Sequence, residues 1–206
     1  MSDVATCPHQ FHSAEYVAAW AKKVDNPIRR SVFHHILAHL HLELQTDDAA
    51  HVVELACGPG LLAEFLLGNR SAMTYEGLDF SAPMLAMAEQ RLAPFSDRVS
   101  LRVVDLRDES WTDSVERVPR AVISTQALHD VGGAEEHAAI YRASAALLAP
   151  GGLLLNADFV DRPGTGRRRI GLARQLEMMA AAGLRGTKAT LDLGPYACVV
   201  GFAPPG

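Results

Sequence analysis

"VVELACGPGLLAEFL", residues 52–66, sets an apolar run of strand type, a turn of small residues and a second apolar run directly after one another. The pattern predicts a short buried strand, a tight turn and the start of a helix. Gly58 and Gly60 permit positive φ and remove side-chain bulk, so a ligand can lie against bare backbone while amide N–H groups at the helix start point toward it. Open α/β sheets bind their ligands at such a turn, beyond the carboxyl end of a strand.

The rest of the chain repeats the same alternation. "HVVEL", "AMTYEGL", "VSLRVV", "RAVIST" and "GGLLLNADF" are short apolar runs suited to strands buried on both faces. Between them "GLLAEFLLG", "SAPMLAMAEQRLAPF" and "GGAEEHAAIYRASAALLAPGG" read as helices. Ser81 can cap the second with Pro83 in its first turn, and Pro150-Gly151-Gly152 stops the third. Strand and helix alternating at this pitch predict a Rossmann-like, doubly wound α/β fold with a mostly parallel seven-stranded sheet.

The two ends depart from the alternation. Residues 13–44 read as two helices broken near Asn26-Pro27, expected to form an N-terminal cap over residues 1–46. "TKATLDL" and "YACVVGFA" are separated by only Gly194-Pro195, too short a gap for a crossover helix. They are expected to pair as an antiparallel C-terminal hairpin. The 206 residues then form one domain, the cap preceding a core over residues 47–206.

Composition narrows the function. A net charge of −5 without a basic block argues against general affinity for nucleic acid, which needs clustered Lys and Arg to neutralise phosphates. No apolar run approaches the roughly 20 residues that cross a bilayer, and residues 1–12 lack a targeting pattern. A cytoplasmic protein working on small molecules, with no membrane partner, is the expectation. Cys7, Cys57 and Cys198 lack paired spacing, so neither a disulfide framework nor a zinc ribbon is written here.

Asp79 closes the second strand about twenty residues after the glycines, the position from which a carboxylate reaches two ribose hydroxyls. Gly58-x-Gly60-x-x-Ala63 also satisfies a dinucleotide fingerprint. Glu54 argues against a nicotinamide enzyme: four residues before Gly58 it would meet an amino group well and a pyrophosphate with the wrong sign. Asp105, ending the third strand, suits an adenine amino group, and the reversed terminal strand completes the pattern.

With these features the chain resembles the class I S-adenosylmethionine-dependent methyltransferases, from His51 to Ala203. "VVELACGPG" is similar to the family's first motif, "YEGLDFSAPMLAMAEQRL" to the segment whose acid holds the ribose, "VSLRVVDL" to the adenine-side strand and "LLAPGGLLLNAD" to the turn before the fifth strand. The resemblance implies S-adenosylmethionine as cofactor. It places Glu54 near the methionine amino end, Gly58 and Gly60 along the cofactor backbone and Asp79 on the ribose. Phe80 and Met84 come beside the adenine, Asp105 at its amino group, and Leu106, Cys57 and Gln126 join the cofactor-binding set. Ala56 stands where the family has its first glycine; a methyl tolerates ordinary φ but takes space, so looser cofactor contact is expected there. Cys57 reads as packing rather than as a nucleophile.

In-line methyl transfer asks the protein to align the acceptor and exclude water. "STQALHDVGG", after the fourth strand, delivers Gln126, His129 and Asp130 to the same edge. Plant and polyketide-type O-methyltransferases carry a similar His-Asp pair, which nominates His129 as general base with Asp130 as its orienting partner. The alternative is a packing or cofactor-side histidine. Absence of an Asn-Pro-Pro-Tyr run disfavours nucleic-acid amines as acceptors, and Asp130, Asn156 and Asp158 do not match the spacing of metal-dependent catechol enzymes. No metal is assigned. His34, His35, His39 and His41 lack the H-E-x-x-H arrangement and read as a solvated or partly packed face.

Tyr16, Trp20 and Arg29 are nominated as substrate-lining residues of the cap, with simple anchoring of the cap to the core as the competing reading. Arg167 to Arg169 in "GRRRIG" read as a solvated helix start that could attract an acidic substrate. The function expected is methylation of a small molecule, most plausibly at oxygen. A non-catalytic relative that binds cofactor or partner, an N-methyltransferase acting on a small amine, and a homodimeric assembly stay open.

Overall fold

The computed structural model describes residues 8–24, 26–44, 49–161 and 169–206. Seven strands form one sheet: β1 (His51–Leu55), β2 (Thr74–Asp79), β3 (Val99–Val103), β4 (Ala121–Thr125), β5 (Leu153–Phe159), β6 (Arg185–Asp192) and β7 (Tyr196–Phe202). Their order is β3-β2-β1-β4-β5-β7-β6. The first five run parallel, and β7 pairs antiparallel with both β5 and β6. The reversed strand is therefore not the last in the sheet; it is threaded between β5 and the edge strand β6. The order reverses direction at β1 and β4, so the crevice between their carboxyl ends is the place for a ligand.

Two helical layers cover the sheet. One holds α2 (Pro27–Glu43), α3 (Leu61–Asn69) and α4 (Ala82–Leu92), and its core joins Ile36 and Leu40 to Leu62, Leu66, Ala88 and Leu92. The other holds α6 (Ala134–Leu147) and α7 (Leu172–Ala181), which bury Ile140, Tyr141, Met178 and Met179 against Val53, Val122 and Leu154. The short α5 (Leu128–Val131) follows β4, and α1 (Ala14–Val24) opens the chain after a 3-10 turn at Pro8–His12.

Local chemistry sets the helix starts. Asn26 caps α2 by accepting from the Arg29 N–H at 3.0 Å, with Pro27 as first residue, and Ser81 caps α4 by accepting from the Met84 N–H at 3.2 Å. The break near Asn26-Pro27 is where the sequence puts it. The expected cap is divided, however. α2 buries Val32, Phe33, Ile36 and Leu40, at roughly 1.5–3 kcal/mol each, a sum comparable with the net stability of a whole domain. It is a structural layer of the core. α1 buries only Val17 and Val24, so with the 3-10 turn it forms the cover proper.

At the far edge, β6 carries Arg185, Lys188 and Asp192 and two register irregularities against β7, features that discourage pairing with another chain. Cys7, Arg167 and Arg168 lie outside the described residues, as does most of the "VDRPGTG" connection.

Candidate active site

Asp79, at the end of β2, organises the turn after β1. One carboxylate oxygen accepts from the Gly58 N–H at 2.8 Å and the other from the Ser81 N–H at 2.8 Å. The acid ties the glycine turn to the start of α4 and keeps lone pairs on both oxygens for a further donor. It is buried, and burial pushes its pKa up to about 6 against the pull of those two N–H groups.

The small residues of the turn divide their work. Gly58 has φ of +55°, and a Cβ there would meet nothing within 4 Å, so the missing side chain leaves open space on the cleft wall. Gly60, at +74°, does not line the cleft; a Cβ there would come within 3.2 Å of Ala88 and Leu92, and its absence lets α3 approach α4. The missing side chain at Gly60 therefore serves packing between the two helices. Ala56 also departs from expectation: its φ is +52°, not an ordinary value, so an alanine occupies a left-handed conformation that favours glycine. Gln126, after β4, shares that conformation with φ of +50°. Cys57 is buried against Gly77, and burial raises its thiol pKa well above the ordinary value, which removes it as a nucleophile.

The cleft opens to solvent, and its lining is mostly apolar with a few polar groups converging on it. Asp79, Phe80 and Met84 form one wall, with Leu106 and Asp105 beyond them and Gln126, Ala127 and Asp130 opposite. Asp105 is already engaged by its neighbour: Arg107 pairs with it at 2.5 Å and holds its pKa below the usual carboxylate value. An adenine amino group would have to share that carboxylate with Arg107.

Aromatic side chains close the top. Phe11, from the 3-10 turn, lines the cleft and packs edge-on to Tyr16, Trp20 and Phe80 at 5.4, 5.9 and 6.4 Å. Its carbonyl accepts from the Ser81 hydroxyl, which pins the cover to the α4 cap. Trp20 lines the cleft, whereas Tyr16 stands behind Phe11 and supports it. Phe11 was not singled out in the sequence, because a lone phenylalanine before a helix carries no pattern.

A second, smaller cavity adjoins the first and shares Trp20, Ala56, Gly58 and Gln126 with it. Glu54 and Arg29 both line this cavity. Arg29 is buried, donates to the Gln126 side-chain carbonyl, and lies 5.8 Å from the Trp20 ring. It therefore reaches the end of the cleft where the resemblance puts the methionine tail, rather than an acceptor-facing surface of the cover. Glu54 is buried and accepts from the Tyr75 hydroxyl at 2.6 Å.

His129, on α5, is held by Asp158 of β5: Nδ1 lies 2.7 Å from one carboxylate oxygen, and the His129 N–H donates to the other at 2.9 Å. Asp130 lies 3.4 Å from Nε2. The ring's principal orienting partner is thus Asp158 and not Asp130, which faces the cleft from the other side of the ring. His129 is not part of the cleft wall, whereas Asp130 is. Burial opposes a charge on the ring, but the Asp158 hydrogen bond and the two carboxylates outweigh it and hold the pKa above its ordinary value. Phe159 packs edge-on to the ring at 5.1 Å, with the Arg169 guanidinium 4.2 Å from the Phe159 centroid.

The histidines of α2 are elsewhere. His35 meets Thr190 of β6 at 2.9 Å and packs edge-on to His39 at 4.7 Å. Among the described residues no group of three or more His, Cys, Asp or Glu is arranged to hold a metal ion, and no helix is long and apolar enough to cross a membrane.

A glycine turn gripped by an acid from the next strand, at the reversal point of a sheet ordered 3-2-1-4-5-7-6, defines a nucleoside-binding Rossmann-like domain of methyltransferase type. Residues 52–152 match the family model described as "Methyltransferase domain". Trans-aconitate 2-methyltransferase of Delftia acidovorans is 35% identical over 118 residues, covering 57% of this chain and 41% of that protein. The chain thus matches less than half the length of that relative. Among solved structures, an O-methyltransferase family protein from Burkholderia thailandensis superposes with a TM-score of 0.73 at 16% identity, covering 98% of this chain and 64% of that one. Magnesium protoporphyrin IX methyltransferase from Synechocystis PCC 6803, solved with bound S-adenosylmethionine, gives 0.65 at 16% identity over 85% and 79%. These matches show a methyltransferase domain over residues 52–152 and a fold shared with solved methyltransferases. The residues present fit S-adenosylmethionine: open space over Gly58, a buried acid with spare lone pairs at Asp79, and an acid and a guanidinium, Glu54 and Arg29, lining the adjoining cavity.

Proposed function

We propose that this protein methylates a small-molecule acceptor at oxygen, with His129 as general base. When bound, S-adenosylmethionine supplies an electrophilic methyl carbon on a sulfonium. Gly58 and Asp79 hold the adenosine portion, and Phe11 and Trp20 exclude water from above. Asp130, on the cleft wall, directs the acceptor hydroxyl toward Nε2 of His129, which takes the proton. Asp158 fixes the tautomer with the proton on Nδ1 and stabilises the imidazolium that forms. The Asp158–His129 pair, at 2.7 Å beside the cleft, is the observation that carries this reading.

A base must be neutral to work. Because the His129 pKa is raised, kcat/KM for a hydroxyl acceptor rises with pH through a value above about 6.5 and levels off beyond it. A panel of small hydroxyl and carboxyl compounds, assayed with a labelled methyl donor across pH, tests this. Full turnover by a folded His129→Asn variant at every pH would remove His129 from the chemistry.

A second reading has its own support. The curated relatives are named for trans-aconitate, a carboxylate, and a carboxylate oxygen needs no base. Arg169 and a protonated His129 would then attract the acid, and turnover would fall as pH rises through the His129 pKa. The opposite slopes separate the two readings.

A further inference from the structure

Glu54 and Arg29 line one cavity, and the hydrogen-bond partner of the acid is the Tyr75 hydroxyl, not a cation. We infer that capture of the cofactor's amino-acid tail expels a proton from Glu54, with Arg29 taking the tail's carboxylate and Tyr75 acting as the positioning residue that holds Glu54 ready to ionise. The inference rests on the cofactor reading above.

Glu54 sits on the central strand β1 at 1% exposure, and Tyr75 reaches it from the neighbouring strand β2. The charged and titratable groups facing it are Tyr75 and Asp79 from β2, Arg29 from α2 and Cys57 from the turn. Burial pushes its pKa up to about 8; the Tyr75 hydrogen bond and the Arg29 charge pull down, and Asp79 pushes up. At 1% exposure and with a hydroxyl rather than a cation as its hydrogen-bond partner, Glu54 is favoured as the carboxylic acid until a cation arrives. An arriving ammonium favours the carboxylate, so the O–H bond of Glu54 breaks, its proton goes to solvent, and an ion pair replaces it. Tyr75 can donate only to the anion or to the carbonyl oxygen of the acid, so it keeps one oxygen fixed through the change.

Titration calorimetry on the intact protein tests this with two probes. S-adenosylhomocysteine carries the amino-acid tail; 5′-methylthioadenosine has the same adenosine without it. Heats measured at pH 7 in phosphate and in Tris are expected to show release approaching one proton per S-adenosylhomocysteine bound and little release for methylthioadenosine. Below about pH 8, affinity for S-adenosylhomocysteine should tighten by up to tenfold per pH unit, while that for methylthioadenosine stays nearly flat. Tyr75→Phe and Arg29→Gln should each move the midpoint of that dependence upward, because each removes a group that favours the anion. Arg29→Gln should also weaken S-adenosylhomocysteine more than methylthioadenosine. A role for Tyr75 in packing alone would leave the midpoint in place. Equal proton release from both probes would assign the proton to another group, such as Asp79, and overturn the inference. Binding of S-adenosylhomocysteine with no buffer dependence would overturn it while leaving the cofactor reading intact. Failure of both probes to bind would sink the two together.

Discussion

The two halves of the crevice are built on different terms. On the β1–β2 side the wall is built from backbone: Gly58 and Ser81 donate N–H groups, and one acid, Asp79, gathers both at 2.8 Å. On the β4–β5 side the arrangement is built from side chains: His129, Asp158, Phe159 and Arg169 meet through contacts that only the folded sheet brings together. Backbone sites depend on turn conformation, which a few residues dictate locally. Side-chain sites depend on register, and a different set of residues can occupy them without disturbing the fold.

The sharpest way to break this contrast is on the side-chain half. Asp158→Asn keeps the shape but lets an amide replace the carboxylate against Nδ1, which permits the wrong tautomer and removes the stabilising charge. For a hydroxyl acceptor, kcat is expected to fall by about 10²–10⁴ while affinity for S-adenosylhomocysteine is unchanged. Steady-state kinetics paired with calorimetry checks both. Equal losses in kcat and cofactor affinity would mean that the two halves are not separable.

Asp79→Asn strikes the backbone half. One oxygen still accepts, while the NH₂ now faces an N–H of Gly58 or Ser81. A lost charge-assisted bond is worth about 1.5–3 kcal/mol, so cofactor affinity is expected to fall by roughly tenfold to a hundredfold, with a lower melting temperature. The variant should also lose pH dependence. Because the folded pKa of Asp79 is raised to about 6, its contribution to stability is present at low pH and is lost as pH rises through that value. Between about pH 4 and pH 6 the melting temperature of the wild type should fall with pH more steeply than that of the variant.

The legibility of the sequence followed the same division. The turn at Cys57–Gly60, the Asp79 spacing and the strand–helix alternation are short-range signals, and the fold and cofactor end could be read from them. The packing use of Gly60 was not legible, because the approach of α3 to α4 joins residues far apart in the sequence. Asp158 was visible at the sheet edge but not as the partner of His129, since that pairing joins residues on separate elements. Tyr75 gave no signal at all: on a strand buried on both faces an aromatic residue is ordinary, and its hydroxyl matters only because β2 lies beside Glu54 on β1.

The smallest expected effect is the most discriminating, because it compares one conformation in both halves. Ala56 and Gln126 follow β1 and β4, and both hold positive φ, at +52° and +50°. A left-handed conformation costs a non-glycine residue about 1–2 kcal/mol, while glycine costs about 0.5–1 kcal/mol more than alanine in backbone entropy on folding. For Ala56→Gly the relief exceeds the penalty, since the side chain is a single methyl on the cleft wall. A net gain of about 0.5–1 kcal/mol, or about 2–3 °C in melting temperature, is expected, together with cofactor affinity equal to or tighter than wild type. Gln126→Gly relieves the same strain but deletes the side chain that accepts from Arg29. A buried guanidinium deprived of that acceptor costs more than the strain returns, so this variant should melt lower than wild type. Opposite signs for two glycine substitutions at matched φ would show that strain on the β1 side can be removed without loss, while on the β4 side it is the cost of keeping a side chain in place.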